Sequence, residues 1–435
     1  MKLEFRKIQV HGLEWADKTT VKDGVLYINR EEATKACGEY PVLEGITLHL
    51  ARPGENVRIL PVKAAVEPRC KVTEEGSMFP GIVGRIAQAG IGTTLALKGA
   101  AVLVTENNDS EVKCRTGALV DMSGPGADYT PFSSTFNIVL NARVNRQAMG
   151  RETLTTDEAC RIAGFRLAVY LADCCKNLKA DSSNNYELPE ADPELPGVVY
   201  VLQLLAQNPE IIDFHVYGQL AGSHFIPTLV HPNELLDGGV TTFLGSHCTV
   251  CADKQYMYEV QNSPVVERLY QEHGKTLRFL GVVVHNEVLT FQGKERSSLF
   301  TVNLAKKLGA RGAILVTEGH GNPDEDIMLN VEGLERAGIS TVIISDELGG
   351  RDGRSPGLAD WVPECDAMVS VGNMHEILAV PKEQKVLIGN EGSMDIVRAL
   401  VEQPPEDRDS FYIELKDIPL ACAQAGLTRL SARWA

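Results

Sequence analysis

The strongest constraint on the fold is an alternation that begins near residue 260. Short apolar runs, "LRFLGVVVH", "GAILVTEG", "STVIISDE" and "AMVSVG", are separated by the amphipathic stretches "SSLFTVNLAKKLGA" and "EDIMLNVEGLERAG". Apolar runs at this spacing read as strands, and the intervening 3.6-residue periodicity reads as helices. Strand and helix in alternation need crossover connections. They therefore build a parallel sheet covered on both faces. The expectation is an α/β protein: a β-rich N-terminal region followed by a C-terminal, doubly wound, mostly parallel sheet domain.

Such sheets bind ligands at the carboxyl ends of their strands. Those ends carry His285 and Asn286, then Glu318 and Gly319, then Asp346 and Glu347. Polar or glycine-rich loops follow, "FQGKERSS", "EGHGNPDED" and "DELGGRDGR". Glu318, His320 and Asp346 are thus candidate acid–base residues, with helix capping as the competing reading for the Asp and Asn of "GNPDED". Lys294, Arg296, Ser297 and Ser298 precede the predicted helix, where cations and a helix start could hold a substrate carboxylate; a solvated loop is the plainer reading.

Upstream, "GVLYIN", "GITLHLA", "NVRILPV" and "AAVLVT" read as strands punctuated by Gly and Pro. Thr155 and Glu158 have capping-box spacing, so a helix starts there and ends near "CCKN". Residues 176–197 are polar and read as a surface linker. "VVYVLQLL" and "FIPTLV" read as buried strands. The segments fall as 1–150, β-rich; 151–247, mixed; and 248–435, α/β.

A formal net charge of −16 argues against nucleic acid, which calls for a basic face, and against an anionic membrane surface. "MKLEFRKIQVHGLEW" has no unbroken apolar core and no run approaches a membrane span, so a cytoplasmic location is expected. Ten cysteines are scattered without a dense framework, as reduced, packed thiols would be.

The chemistry of "FLGSHCTVCADK", residues 243–254, has several readings. Cys248 and Cys251 have zinc-knuckle spacing, but no second such pair completes four ligands, so no metal is expected. A CxxC pair after a strand-like run could be a redox couple, and two packed thiols is the bland alternative. "GIVGRIAQAGIG" fits neither the dinucleotide fingerprint nor the P-loop, so no nucleotide is expected.

A set of stretches in fixed order narrows the choice: "DKTTVKDGVLYIN", "LARPGENVRILPVK", "ALKGAAV", "DMSGPGADYTPFS", "HGKTLRFLGVV", "KERSS", "EGHGNPDED" and "DELGGRDG". Together they resemble the proprotein that supplies the α and β subunits of component B in glycine, sarcosine and betaine reductases, to which the D-proline reductase precursor is related. The resemblance implies cleavage before an internal cysteine, which becomes an N-terminal pyruvoyl group. That cysteine corresponds to Cys248, giving pieces 1–247 and 248–435. Its thiolate would attack the preceding carbonyl, and elimination would release the upstream piece and leave dehydroalanine. Hydrolysis then gives the keto group and ammonia. His247 is a candidate base for this processing, although asparagine is common before the processed cysteine in that family.

The resemblance further implies Schiff-base activation of an amino-acid or N-methylated-amine substrate for reductive C–N cleavage. It implies a selenocysteine- or cysteine-bearing partner subunit, a thiol or selenol carrier, association of the two pieces, and a place in anaerobic amino-acid fermentation. An unprocessed thiol protein using Cys248 and Cys251, or a non-catalytic small-ligand-binding subunit, are the alternatives.

Overall fold

The structure, a computed structural model, describes residues 1–107, 118–148, 154–207, 214–222, 224–242, 255–319, 321–399, 401, 403, 409–424, 426–427 and 431–434. Its largest sheet has seven strands: β1 (Gly197–Leu205), β2 (Thr228–Val230), β3 (Arg278–Glu287), β4 (Gly312–Val316), β5 (Ser340–Glu347), β6 (Ala367–Asn373) and β7 (Ser431–Trp434). The order across the sheet is β2-β3-β1-β4-β5-β6-β7. The five central strands run parallel, while β2 and β7 close the edges antiparallel.

The chain steps from β1 outward to β3, then returns across β1 to β4 and continues outward. The winding therefore reverses beside β1, and a crevice opens at such a reversal, at the carboxyl ends of the strands. Helices α1 (Phe291–Leu308) and α2 (Asn322–Arg336) connect β3 to β4 and β4 to β5. Both pack on one face, where Ala305, Ile327, Val331 and Leu334 meet Val199, Val201, Val283 and Leu315. The opposite face carries Val282, Val284, Val316 and Ile344. It shares one apolar cluster with Leu97, Val104 and Phe165 of the β-rich region and with Val266 and Leu269 of the helix Pro264–Glu272. That face is thus covered mainly by the N-terminal half.

The β-rich expectation for the N-terminal region holds. One four-stranded sheet joins Ser182–Glu187, Lys2–Gln9, Gly92–Lys98 and Arg69–Lys71. A second joins Leu43–Ala51, Phe136–Val144, Ala100–Asn107 and Val62–Val66. The helix predicted from Thr155 spans Thr156–Asp173, and its capping box is closed in both directions.

Three local expectations differ from the structure. The polar stretch 176–197 contains the strand Ser182–Glu187, paired antiparallel to Lys2–Gln9. Its "SSNNYE" has no apolar alternation, because only Tyr186 is buried. "FIPTLV" yields only the three-residue edge strand β2, with Leu229 exposed. Lys294, Arg296, Ser297 and Ser298 lie inside α1, which starts at Phe291, rather than before it.

The sheets also tie the two ends of the sequence together. β1, upstream of residue 247, lies between the downstream strands β3 and β4. The downstream strand Val386–Gly389 pairs in parallel with Val57–Leu60. Gly389, at φ 119°, marks their closest approach, since a Cβ there would run into the Leu60 carbonyl oxygen. Beside that seam, Arg58 makes two 2.7 Å bonds to Asp121 and another, of 2.9 Å, to the Pro381 carbonyl, and its guanidinium stacks 5.1 Å from the Phe411 ring. Asp121 is therefore a buried structural partner.

Candidate active site at the carboxyl edge of the sheet

A connected set of buried polar side chains lies where the winding reverses. Glu287 ends β3. Its Oε1 accepts from Gln203 Nε2 of β1 (3.1 Å), Thr317 Oγ1 (2.5 Å) and the Glu318 amide (3.3 Å). Glu318 follows β4, and its Oε2 accepts from the Leu205 amide at the end of β1, at 2.9 Å. Gln203 Oε1 in turn accepts from Asn330 Nδ2 of α2 at 2.7 Å. The three adjoining strands β3, β1 and β4 are thus laced together at one end by side chains.

Burial pushes the Glu287 carboxyl well above the ordinary carboxylate range, and the nearby Asp326 and Glu318 charges push it further. The protonated form of Glu287 is therefore favoured over what an exposed carboxyl would show.

The helices supply the next layer. Lys294, Ser297 and Thr301 recur at helical spacing and are all buried. Lys294 Nζ contacts Asp326 of α2 and donates to the Asn322 carbonyl at 2.9 Å. Ser297 Oγ donates to Asn286 Oδ1 at 2.9 Å. Thr301 Oγ1 lies 3.0 Å from His285 Nδ1, and His285 Nε2 lies 3.6 Å from Asp326 Oδ1. Arg296, on the outer side of α1, is exposed and turned away from this network.

On the other side, Gln424 bridges two strand ends. Its Nε2 donates to Asp346 Oδ1 at 2.8 Å and to the Gly319 carbonyl at 3.2 Å, while its Oε1 accepts from the Gly319 amide at 3.0 Å. Gln255 also enters here, 1% exposed, with Nε2 3.5 Å from the Thr317 carbonyl. It is the first described residue after the segment 243–254.

Of the residues singled out in sequence, Glu318, Asp346, Lys294 and Ser297 are brought to this edge. His247, Cys248, Cys251 and His320 lie outside the described residues. Sequence reasoning missed Glu287, Asp326, Gln203, Gln255 and Gln424. Glu287 had a usable signal, as it directly follows His285 and Asn286 at a strand end. Gln255 and Gln424 had none, because their placement depends on how loops return to the sheet.

Other cysteines are remote in character. Cys37, Cys70, Cys160, Cys175, Cys365 and Cys422 are buried. Burial raises Cys37 and Cys175 to about 12 and Cys365 to about 11, so these thiols are poor nucleophiles. Among the described residues no group of His, Cys, Asp and Glu forms a metal-holding cluster, and no helix is long and apolar enough to cross a membrane.

Comparison with known proteins places this arrangement in context. Residues 1–433 match the family described as glycine/sarcosine/betaine reductase component B subunits. The chain is 36% identical over 441 residues to the glycine reductase complex component B subunits alpha and beta of Acetoanaerobium sticklandii, covering 100% of each. It is 36% identical over 443 residues to the sarcosine reductase complex component B subunit alpha of Peptoclostridium acidaminophilum, again covering 100% of each. To the betaine reductase complex component B subunit alpha of the same organism it is 40% identical over 395 residues, covering 89% of this chain and 88% of the relative. No solved structure matches.

Proposed function

Because the chain belongs to the family of glycine/sarcosine/betaine reductase component B subunits, we propose that it is the precursor of a pyruvoyl-bearing, substrate-activating component of an amine reductase complex, cut before Cys248. The observation that carries this reading is the position of Gln255. It lies seven positions after Cys248, a span of at most about 25 Å. Gln255 is anchored on Thr317, inside the carboxyl network at the reversal of winding.

The residues at this edge fit a keto group. Glu287, whose protonated form is favoured by burial and by its anionic neighbours, can donate a proton to an oxygen. The Lys294 ammonium is engaged by Asp326 and the Asn322 carbonyl, so it does not compete with a substrate amine. When formed, the pyruvoyl carbonyl supplies an electron sink for the substrate nitrogen and weakens its C–N bond.

The chain's own residues have narrower tasks. Glu318 is held by the Leu205 amide and lies beside Glu287, suited to accepting a proton from an incoming amine. Asp346 is oriented by Gln424. Lys294 and Ser297 fix Asp326 and Asn286, and through them the ends of α2 and β3. The reducing nucleophile comes from a partner subunit carrying selenocysteine or cysteine, and a thiol or selenol carrier follows it.

Denaturing electrophoresis and intact mass of the purified protein test the processing. Two pieces are expected, the downstream one lighter than its encoded sequence and reactive to carbonyl reagents. Cys248→Ala should leave one chain, and a cut that persists in that variant would refute the assignment. Loss of activity on replacing Cys251 in an uncut, active chain would favour the redox reading instead.

A further inference from the structure

A second cavity shares no lining residue with the network around Glu287. Strands Lys2–Gln9 and Gly92–Lys98 and the start of the helix Pro264–Glu272 contribute to its walls, and it holds about 360 Å³, a volume usual for small-molecule sites. Arg69 and Lys98 line it and share one buried carboxylate. Glu67 Oε1 accepts from Lys98 Nζ at 2.5 Å, and Glu67 Oε2 accepts from Arg69 Nε at 2.8 Å. Burial pushes the Glu67 carboxyl up, but the Lys98 and Arg69 charges outweigh it and hold the group below the ordinary carboxylate range. Glu67 is therefore ionised at neutral pH, and this group of three keeps one positive charge in excess. The rim does not cancel it. Lys7 adds a cation there, and Glu267, whose Oε2 accepts from the Tyr186 hydroxyl at 2.7 Å, adds a carboxylate.

Gln261 also lines this cavity. Its Oε1 accepts from the Glu67 amide at 3.2 Å, which fixes the orientation of the side-chain amide, because the reverse would set NH2 against an N–H. Its Nε2 then finds no hydrogen-bond partner among the described residues, although the side chain is only 1% exposed. A buried donor without an acceptor costs free energy, as does a buried charge without its counter-charge. The positive end of the nine-residue helix Pro264–Glu272, capped by Ser263 at the same cavity, adds a field of the same sign.

We propose that this cavity binds a small oxyanion, a carboxylate or a phosphate, which accepts from Gln261 Nε2 and balances the excess charge of Arg69, Glu67 and Lys98. Water can accept from Gln261 but brings no charge. Arg69 and Lys98 precede residues 243–254 and Gln261 follows them, so the anion bridges the two sides of the proposed cut. The cut itself is not required, since the same residues line the cavity in the uncut chain.

Calorimetric titration of the full chain with sodium acetate and with sodium phosphate tests this, at an ionic strength held constant with sodium chloride. At least one of the two should bind saturably, at one site per chain. Acetate alone identifies a carboxylate ligand and phosphate alone a phosphoryl one, and either supports the proposal. At ten times its Kd the bound anion should raise Tm by about 1–3 °C. Gln261→Glu keeps an oxygen for the Glu67 amide and puts a second oxygen where the free NH2 was, so it should weaken binding about ten-fold or more. Lys7→Gln removes a rim charge and leaves Arg69, Glu67 and Lys98 in place, so it should weaken binding about two- to five-fold. Thermal unfolding checks that both variants fold, and Lys7→Gln decides alone where Gln261→Glu does not. No saturable binding beyond that of chloride, or a folded variant of either kind that binds as tightly as the parent chain, would overturn the proposal.

Discussion

Cutting the chain between residues 242 and 255 should not separate the pieces. β1 is upstream of the cut, yet it lies between β3 and β4, both downstream. Val199, Tyr200, Val201, Leu202, Leu204 and Leu205 are each 2% exposed or less. At roughly 1.5–3 kcal/mol per buried side chain, this strand alone contributes about 9–18 kcal/mol, an upper bound because the unfolded reference already buries some surface. The seam of Val57–Leu60 with Val386–Gly389 adds to it. Association costs about 4–15 kcal/mol, and a net of about 12 kcal/mol corresponds to nanomolar affinity. Size-exclusion chromatography of the cut protein at submicromolar concentration should therefore give one species, resolved into two pieces only by denaturant. Leu202→Ala removes a core side chain and should cost about 2–5 kcal/mol, seen as earlier separation of the pieces in denaturant. An upstream piece that elutes alone and folded, or a Leu202→Ala variant that separates no sooner, would refute the interlocking.

Two further outcomes follow from single groups. Glu287 keeps a proton in the folded chain that it loses in the unfolded one, so stability should fall as pH rises from about 4.5 through its raised value, by up to about 1.4 kcal/mol per pH unit; chemical denaturation across that window should show the slope, and Glu287→Gln should flatten it. Thr155→Ala removes the cap that accepts from the Glu158 amide and should cost about 0.5–2 kcal/mol, read as a lower Tm.

Elements whose own residues carry the signal were legible in the sequence. The run "VVYVLQLL" is apolar on both sides because both faces of β1 are buried, so a strand was visible there. Its place at the centre of the sheet was not, because the β1–β3 pairing joins residues about 80 positions apart in sequence. Ser182–Glu187 escaped notice for the opposite reason: an edge strand held by backbone bonds and one buried Tyr186 needs no apolar pattern. At the site, strand-end residues such as Glu318 and Asp346 could be picked out from the rule that parallel sheets act at their carboxyl ends. Gln255 and Gln424 could not, since they reach the same edge from loops with no periodicity to read.

The site itself is divided between the two sides of the proposed cut. Gln203 and the Leu205 amide come from upstream, while Glu287, Thr317, Glu318, Asn330 and Gln255 come from downstream. Glu287 is surrounded only when β1 lies between β3 and β4, so its burial, and with it the raised proton affinity, depends on the whole sheet being assembled. A downstream piece made alone would leave β3 and β4 without the strand that separates them, and Glu287 open to water. Folding of the uncut chain must therefore come before any reaction that relies on a neutral Glu287. The interlocked sheet then preserves that environment after the backbone is broken, because Gln203, Thr317 and the Glu318 amide, which bond Glu287, lie outside residues 243–254.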